Sequence, residues 1–157
     1  MANSEISLGN IFPIILLIIY GIVVFTKVRH TSHHNRKFIM LKYFVSIFIA
    51  PMGLFGFIGH QFMADKVAAA IGWEKGSFFQ KEIGFANLAM GISAIYASHL
   101  NNEAALKTIV IAYAIFMGGA GFVHLTDLMH RNNRSILNVQ PLILEAVIVI
   151  YSLYLIL

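Results

Sequence analysis

The feature that most constrains this chain is a succession of five apolar stretches, each close to the length that crosses a lipid bilayer. A membrane-spanning helix needs about 20 mostly apolar residues. The stretches run from about Ile11 to Val28, Phe38 to His60, Phe79 to His99, Leu106 to Met129 and Pro141 to Leu157. This pattern predicts an all-α fold, a polytopic membrane helix bundle of about five transmembrane helices that forms one domain over residues 1–157.

The composition also indicates a membrane protein, and it limits the chemistry. Of the 157 residues, 59% are apolar and 11% are charged, against roughly 45–50% and 25% in soluble domains. The chain has no cysteine, which excludes disulfides, thiolate metal sites and cysteine nucleophiles. The sequence contains neither a P-loop nor a dinucleotide-binding fingerprint, and no Ser-His-Asp arrangement can be argued. The sequence therefore identifies no reaction by motif.

Positive charge is concentrated between the first and second stretches. The segment K-V-R-H-T-S-H-H-N-R-K, residues 27–37, contributes much of the formal net charge of +4. Because cytoplasmic loops carry an excess of Lys and Arg, we expect a cell (inner) membrane protein with its N-terminus outside and its C-terminus in the cytoplasm. We expect the loop to contact anionic lipid heads, and we expect no nucleic acid as a partner. Because Met1–Asn10 lacks a basic region, the first stretch is predicted to be a retained helix and not a signal peptide.

A segment too short and too polar to cross the membrane lies between the second and third stretches. Apolar side chains spaced for one helical face occupy Met63, Val67, Ala70 and Ile71. With Asp65 and Lys66 on the other side, residues 61–73 predict an interfacial half-helix. Trp73 suits the membrane–water boundary, and Gly76-Ser77 predicts a turn before the third helix.

Ionisable residues collect at one end of the predicted bundle. In chain order they are His60, Glu82, His124, Asp127 and Glu145. A charge in the middle of a membrane span costs roughly 2.5–3.5 kcal/mol on insertion scales, so such residues usually face the protein interior and often mark a function. We therefore predict an outward-facing intramembrane polar pocket at this end.

Helical phase, at about 100° per residue, places these residues on small or polar stripes. The stripes are Ser46, Gly53, Gly56 and His60 on the second helix, Tyr113, Met117, Gly121, His124 and Asp127 on the fourth, and Pro141, Glu145 and Ser152 on the fifth. On the third helix, Gln80, Gly84, Asn87 and Gly91 share one side. Glu82 lies about 140° from Asn87, so we expect one of the two, and not both, to reach the cluster.

The pocket residues have the chemistry of several ligands. Imidazole and carboxylate groups suit Zn or Fe, and His124-x-x-Asp127 places two such groups on adjacent helical turns, as in di-iron bundles. The metal hypothesis comprises His60, Glu82, His124, Asp127 and Glu145. The same groups would suit a proton or a small polar ligand, or would form a hydrogen-bonded network that serves structure alone. A haem between His60 and His124 is a further hypothesis, with no spacing to support it.

One part of the chain resembles a known family. The residues are Gly59-His60, then I-G-W-E-K-G-S-F-F-Q-K-E at residues 71–82, then A-N-L-A at residues 86–89. They resemble a group of small uncharacterised prokaryotic multi-pass membrane proteins with the pattern Gly-His, Ile-Gly-Trp-x-x-Gly-Ser-Pro-Phe-Gln-x-Glu and Ala-Asn-Leu. Phe78 stands where that pattern has proline. The resemblance implies no activity, but it implies that one characteristic site contains His60, Trp73, Gln80, Glu82 and Asn87.

The function predicted from the sequence is the binding of a metal ion, a proton or a small polar ligand in the outward-facing pocket. The ligand-binding candidates are His60, Trp73, Gln80, Glu82, Asn87 and Tyr113. One alternative is a small membrane enzyme or redox protein that acts on a lipid or quinone at the outer leaflet. The other is a structural or accessory subunit whose small-residue faces pack against a membrane partner or a second copy of the chain.

Overall fold

Residues 8–157 form helices joined by short connections. The computed structural model describes the backbone of this range and its side chains except those of Leu8, Asn10, His33 and His34. The predictions that concern residues 1–7 and the side chains of His33 and His34 therefore lie outside the described residues. The helices are α1 Leu8–Val28, α2 His33–Tyr43, a π-helix Phe44–Ile49, α3 Ala50–Phe62, α4 Ala64–Ile71, α5 Phe78–Leu100, α6 Glu103–Arg131 and α7 Ile136–Ile156. The described range contains no strand.

Five helical segments within the described residues are long and apolar enough to cross a membrane. They are α1, the continuous segment made of α2, the π-helix and α3, and then α5, α6 and α7. Their outward faces carry large apolar side chains such as Phe25, Ile115 and Ile150, which suits contact with lipid. The predicted all-α bundle of about five spans is confirmed.

The second membrane-spanning segment changes its helix type midway. Pro51 stands in the first turn of α3, where it has no N–H to donate and its ring would clash with the carbonyl four residues earlier. The turns before it are π-helical, and the N–H of Ala50 donates to the carbonyl of Val45, five residues back. The irregularity that a proline imposes on a helix is here a π-helix placed just before Pro51.

Helices α3 and α5 approach each other at backbone distance. A Cβ atom on Gly53 would lie 2.5 Å from the backbone nitrogen of Gly91, and one on Gly56 would lie 2.6 Å from Oδ1 of Asn87. Only residues without a side chain allow helices to pack this closely. The small-residue stripes predicted for the second and third spans are therefore the faces through which α3 and α5 meet.

Helices α6 and α7 form the second close pair. Residues 132–135 join them, and α7 begins at Ile136 after Ser135. The sequence predicted a start at Pro141, which instead lies in the second turn of α7. The helix begins earlier because Ser135, a residue type favoured just before a helix, precedes five residues, 136–140, that include neither glycine nor proline.

Helix α4 corresponds to the predicted interfacial half-helix. Ala68 and Ile71 are buried, while Asp65 and Lys66 are exposed. The buried face differs from the predicted one, because Met63, at the junction with α3, and Ala70 are both exposed. The two buried residues lie in the C-terminal half of α4, and the helix contacts α7.

Candidate functional site

His124 lies on the buried face of α6, and its tautomer is fixed by a neighbouring amide. Nδ1 of His124 is 2.7 Å from Oδ1 of Asn138, a fully buried residue of α7. The Nδ2 atom of Asn138 donates to the carbonyls of His124 (3.3 Å) and Asn133 (2.9 Å), so its Oδ1 is the acceptor that faces the imidazole. Nδ1 must therefore carry the hydrogen, and neutral His124 presents an unprotonated Nε2.

This free nitrogen of His124 faces Glu145 of α7. Nε2 lies 3.9 Å from Oε1, and the two side chains are 8% and 10% exposed. The distance exceeds the roughly 2.7–3.2 Å of a hydrogen bond, so the two groups are close neighbours without a direct bond. Gly121 makes room for the carboxyl group, since a Cβ atom there would lie 3.4 Å from Oε2 of Glu145.

The connection at residues 72–77, which we call the lid, covers His124. The Trp73 ring stacks on the imidazole with ring centroids 5.2 Å apart and an interplanar angle of 19°. Its Nε1 donates to Oδ2 of Asp127 at 2.9 Å, and Nδ2 of Asn133 donates to the same oxygen at 2.6 Å. Arg131 lies 3.7 Å from the other oxygen of Asp127. These donors suit a carboxylate, which has only acceptor atoms.

The lid is anchored at its start and given its shape by glycines. Asn133 and Ser135 each donate a side-chain hydrogen bond of 2.7 Å to the carbonyl of Ile71. Gly72 has φ 94° and Gly76 has φ 82°, a left-handed region in which residues with a Cβ atom are strained. The lid therefore docks on the α6–α7 connection through contacts with defined geometry.

Further polar atoms lie deeper between α6 and α7. The hydroxyls of Tyr113 and Ser152 and the Oε2 atom of Glu145 are buried without a hydrogen-bond partner. Tyr113 packs its ring edge against Phe48 of the π-helix, at 6.4 Å between centroids. The predicted stripes on the fourth and fifth helices are thus the buried faces of α6 and α7, with His124 and Glu145 at their centre.

A second polar group lies between α3 and α5. Nδ1 of His60, Oε1 of Gln61 and Oε1 of Gln80 are buried without a hydrogen bond of good geometry, and the side chain of Gln80 lies next to His60. A Cβ atom on Gly84 would lie 3.4 Å from Cβ of His60 and 3.5 Å from Oε1 of Gln61. His60 therefore belongs with two glutamines, and among the described residues it does not join His124 in a group of three potential metal ligands.

The structure does not support the metal hypothesis. Among the residues that it describes, no group of three or more His, Asp and Glu side chains is arranged to hold a metal ion. His124 and Glu145 are neighbours, but Asp127 is engaged by the lid and Glu82 is exposed on α5. The sequence allowed either Glu82 or Asn87 of the third helix to face the cluster, but not both. In the structure Asn87 is buried and Glu82 is exposed.

Sequence reasoning missed the asparagines that organise the site. From the sequence, Asn138 falls outside the fifth helix, because that helix is predicted to begin at Pro141. Had it been extended to Ser135, the spacing of seven residues between Asn138, Glu145 and Ser152 would have shown one buried face. The contact of Asn133 with Ile71 had no local signal, because it depends on how α4 docks.

Among the described residues, five helical segments of membrane-spanning length surround buried polar groups, an arrangement that defines a multi-pass helical membrane protein. The chain belongs to DUF6790, a family of unknown function that matches residues 10–157. No curated protein and no solved structure matches it significantly. Membership agrees with the resemblance to an uncharacterised family, and it assigns neither a ligand nor a reaction.

Proposed function

We propose that this membrane protein binds and releases a proton at the buried pair His124–Glu145. The observation that carries the proposal is the 3.9 Å approach of Nε2 to Oε1 in a closed helix interface. Of the three ligand classes that the sequence left open, a proton needs no third side chain, whereas a metal ion does. Asn138 supports the proposal because it keeps the proton-accepting nitrogen directed at the carboxyl group.

The pair is electrically neutral when it holds one proton. That proton resides either on the carboxyl group beside a neutral imidazole or on the imidazole beside a carboxylate. Removing it leaves a buried negative charge, and adding a second proton leaves a buried positive charge. Both are costly away from water, so we expect exchange with the solvent only when the site is opened.

The lid supplies the opening. The Trp73 ring stacks on the imidazole of His124, and the Nε1–H group of Trp73 donates a hydrogen bond to Asp127. If the open lid admits water, the pair can change its charge at lower cost than when it is closed. Lid position and protonation are then linked: each shifts the other by the same free energy.

We also propose that this end of the bundle faces the outside of the cell membrane. The basic segment, residues 27–37, lies at the opposite end. Further along α2, Lys42 donates to Oδ1 of Asn101 at 2.7 Å, just beyond the C-terminal end of α5. Since basic loops stay in the cytoplasm, the pair would exchange its proton with the outer aqueous phase. At the inner surface, the basic loop would rest on anionic lipid heads.

The test is infrared difference spectroscopy of the protein in liposomes during pH steps. A protonated carboxyl group in an apolar site gives a separate carbonyl band, which we expect in the native protein and not in Glu145→Gln. Glu103→Gln is the matched control, since Glu103 is exposed. With ¹⁵N-labelled histidine, Glu145→Gln should also change the Nε2 resonance of His124.

Two results would contradict the proposal. One is a carbonyl band that persists unchanged in Glu145→Gln. The other is a His124 resonance that is indifferent to the same substitution while the protein remains folded. His124→Gln provides a second variant, which should alter the Glu145 band if the two groups share a proton.

A further inference from the structure

Three polar atoms deep in the α6–α7 interface have no hydrogen-bond partner among the described residues. They are the hydroxyls of Tyr113 and Ser152 and the Oε2 atom of Glu145. All three atoms are buried, in residues that are 1%, 0% and 8% exposed. Buried polar atoms in proteins nearly always have a partner, because an unpaired one is costly away from water. Three such atoms at one interface therefore indicate a bound polar molecule.

The hydroxyl of Ser152 differs from other helical hydroxyls of this chain. A serine or threonine inside a helix commonly donates to a carbonyl of the preceding turn. Ser98, Thr108 and Thr126 do so at 2.8, 2.9 and 2.7 Å. Ser152 is buried more deeply than any of these residues, yet its hydroxyl makes no such bond. The hydroxyl is therefore available to a partner outside its own helix.

The register of the two helices brings the three atoms to one interface. Gly121 and Glu145 are paired positions, since a Cβ atom on Gly121 would lie 3.4 Å from Oε2. Tyr113 precedes Gly121 by about two helical turns, and Ser152 follows Glu145 by about two turns. Because α6 and α7 are consecutive antiparallel helices, these matching steps bring Tyr113 and Ser152 to the same level. The Tyr113 hydroxyl also interacts electrostatically with the Glu145 carboxyl group.

The surroundings of these atoms suit a very small ligand. Phe48 of the π-helix packs against the Tyr113 ring, and Val110 and Leu155, further from the lid, are buried and apolar. A bare Ca²⁺ or Mg²⁺ ion would need about six ligands, more than three atoms supply. A buried water molecule typically makes about three hydrogen bonds to polar groups that are otherwise unpaired, and it both donates and accepts. Water therefore matches the number and the chemistry of these atoms.

We propose that Tyr113, Ser152 and Glu145 bind internal water, which the two hydroxyls share and which donates to Oε2 of the carboxyl group. The carboxyl group then has His124 near Oε1 and water at Oε2. A donor at Oε2 favours the carboxylate form, so the shared proton resides more on the imidazole. This last effect rests on the proposed function, whereas the binding of water does not require the pair to exchange a proton.

Stability measurements on two variants and their combination test the water site. In Tyr113→Phe or Ser152→Ala the water loses one partner. We expect the equilibrium constant for unfolding in detergent to rise roughly two- to tenfold, the range for one net hydrogen bond. Because both hydroxyls share the water, the effect of the double variant should fall well below the product of the two single effects. Hydroxyls without any partner would instead give stabilised variants, since each substitution would remove an unpaired buried group.

Ser98→Ala is the matched control, because the Ser98 hydroxyl is bonded within its own helix. Combined with Tyr113→Phe, it should give the product of the two single effects, without coupling. Stabilisation in Tyr113→Phe or in Ser152→Ala would overturn the proposal. So would independent effects of these two substitutions in the double variant.

A crystal structure grown from a lipid mesophase is the second measurement. We expect an ordered water within about 2.5–3.0 Å of both hydroxyls. Direct hydrogen bonds among the three side chains, with no water between them, would overturn the proposal. The two proposals fail separately: water at this site without a carbonyl band from Glu145 would contradict the proton pair alone. A Glu145 band without the water would contradict the water site alone.

Discussion

A single buried amide decides which nitrogen of His124 can accept a proton. Asn138 uses both Nδ2 hydrogens on backbone carbonyls, so its oxygen has to face the imidazole. The imidazole then has its hydrogen on Nδ1 and its lone pair directed at Glu145. Asn138 is fully buried and its side-chain hydrogen bonds go to His124 and Asn133, yet it sets the direction of the proton-accepting atom towards Glu145.

Replacing Asn138 by leucine should destabilise the protein. The change removes the acceptor for Nδ1–H of His124 and the donors for two carbonyls in a fully buried position. Each unsatisfied buried group costs about 1–3 kcal/mol, so we expect a clear fall in the temperature of thermal unfolding in detergent. Asn35→Leu, at an exposed position of α2, is the control and should change the unfolding temperature little. Equal unfolding temperatures for the two variants would contradict the inferred role of Asn138.

At the scale of elements, the sequence predicts correctly those features that depend on local periodicity. The five spans follow from apolar runs, and the glycine stripe containing Gly53 and Gly56 follows from helical phase. The predicted start of α7 at Pro141 is wrong, because this proline lies in the second turn of a helix that begins at Ile136. The lid was predicted as a half-helix and a turn, but its docking on His124 was not, because stacking of Trp73 depends on contacts between segments far apart in the chain.

The close contact between α3 and α5 predicts that substitution by alanine affects stability very differently at two glycines, Gly53 and Gly21. A Cβ atom on Gly53 would lie 2.5–2.7 Å from backbone atoms of Gly91 and Asn87, so the helices would have to move apart. We expect Gly53→Ala to cost about 1–3 kcal/mol in the free energy of unfolding. Gly21→Ala on α1, where no atom lies within 4 Å of the added Cβ, should be neutral or slightly stabilising. Denaturant titration of both variants measures this, and similar stabilities would contradict the packing argument.

The contacts of the lid should control how fast a reagent in solution reaches His124. Trp73→Phe keeps an aromatic ring over the imidazole but removes the 2.9 Å hydrogen bond to Asp127. Losing one hydrogen bond to a charged group should raise the open population roughly ten- to a hundredfold. Modification by diethyl pyrocarbonate, followed by mass spectrometry, should therefore be faster at His124 in the variant. Exposed His130 is the internal control. An unchanged ratio of the two rates would show that Trp73 does not restrict access.

At the scale of the whole molecule, the two ends of the bundle differ in chemistry. One end holds the lid and both polar groups. The other holds the basic segment, residues 27–37, whose Lys37, at the start of α2, lies 5.2 Å from the centre of the Tyr154 ring. An asymmetric bundle of this kind has a defined orientation in the membrane if the basic residues govern insertion. That orientation decides which aqueous phase exchanges protons with the His124–Glu145 pair.

The orientation can be measured directly because the chain has no cysteine. We expect Ser77→Cys, in the lid, to react with a membrane-impermeant maleimide in intact cells. Ser32→Cys, in the basic loop, should react only after the membrane is permeabilised. Both positions are exposed, so each serves as the reactivity control for the other. The reverse pattern would show that the lid faces the cytoplasm.

The π-helix at Phe44–Ile49 limits which insertions and deletions relatives of this protein can carry. A π-helical turn holds one residue more than an α-helical turn would, as if one residue had been inserted into the helix. Deleting a residue here would restore a plain α-helix and rotate everything after it by about 100°, which would turn Gly53 and His60 away from α5. Insertions and deletions between Leu41 and Gly53 should therefore be rare among relatives, even where their side chains diverge, because this short interval keeps the two halves of one helix in register.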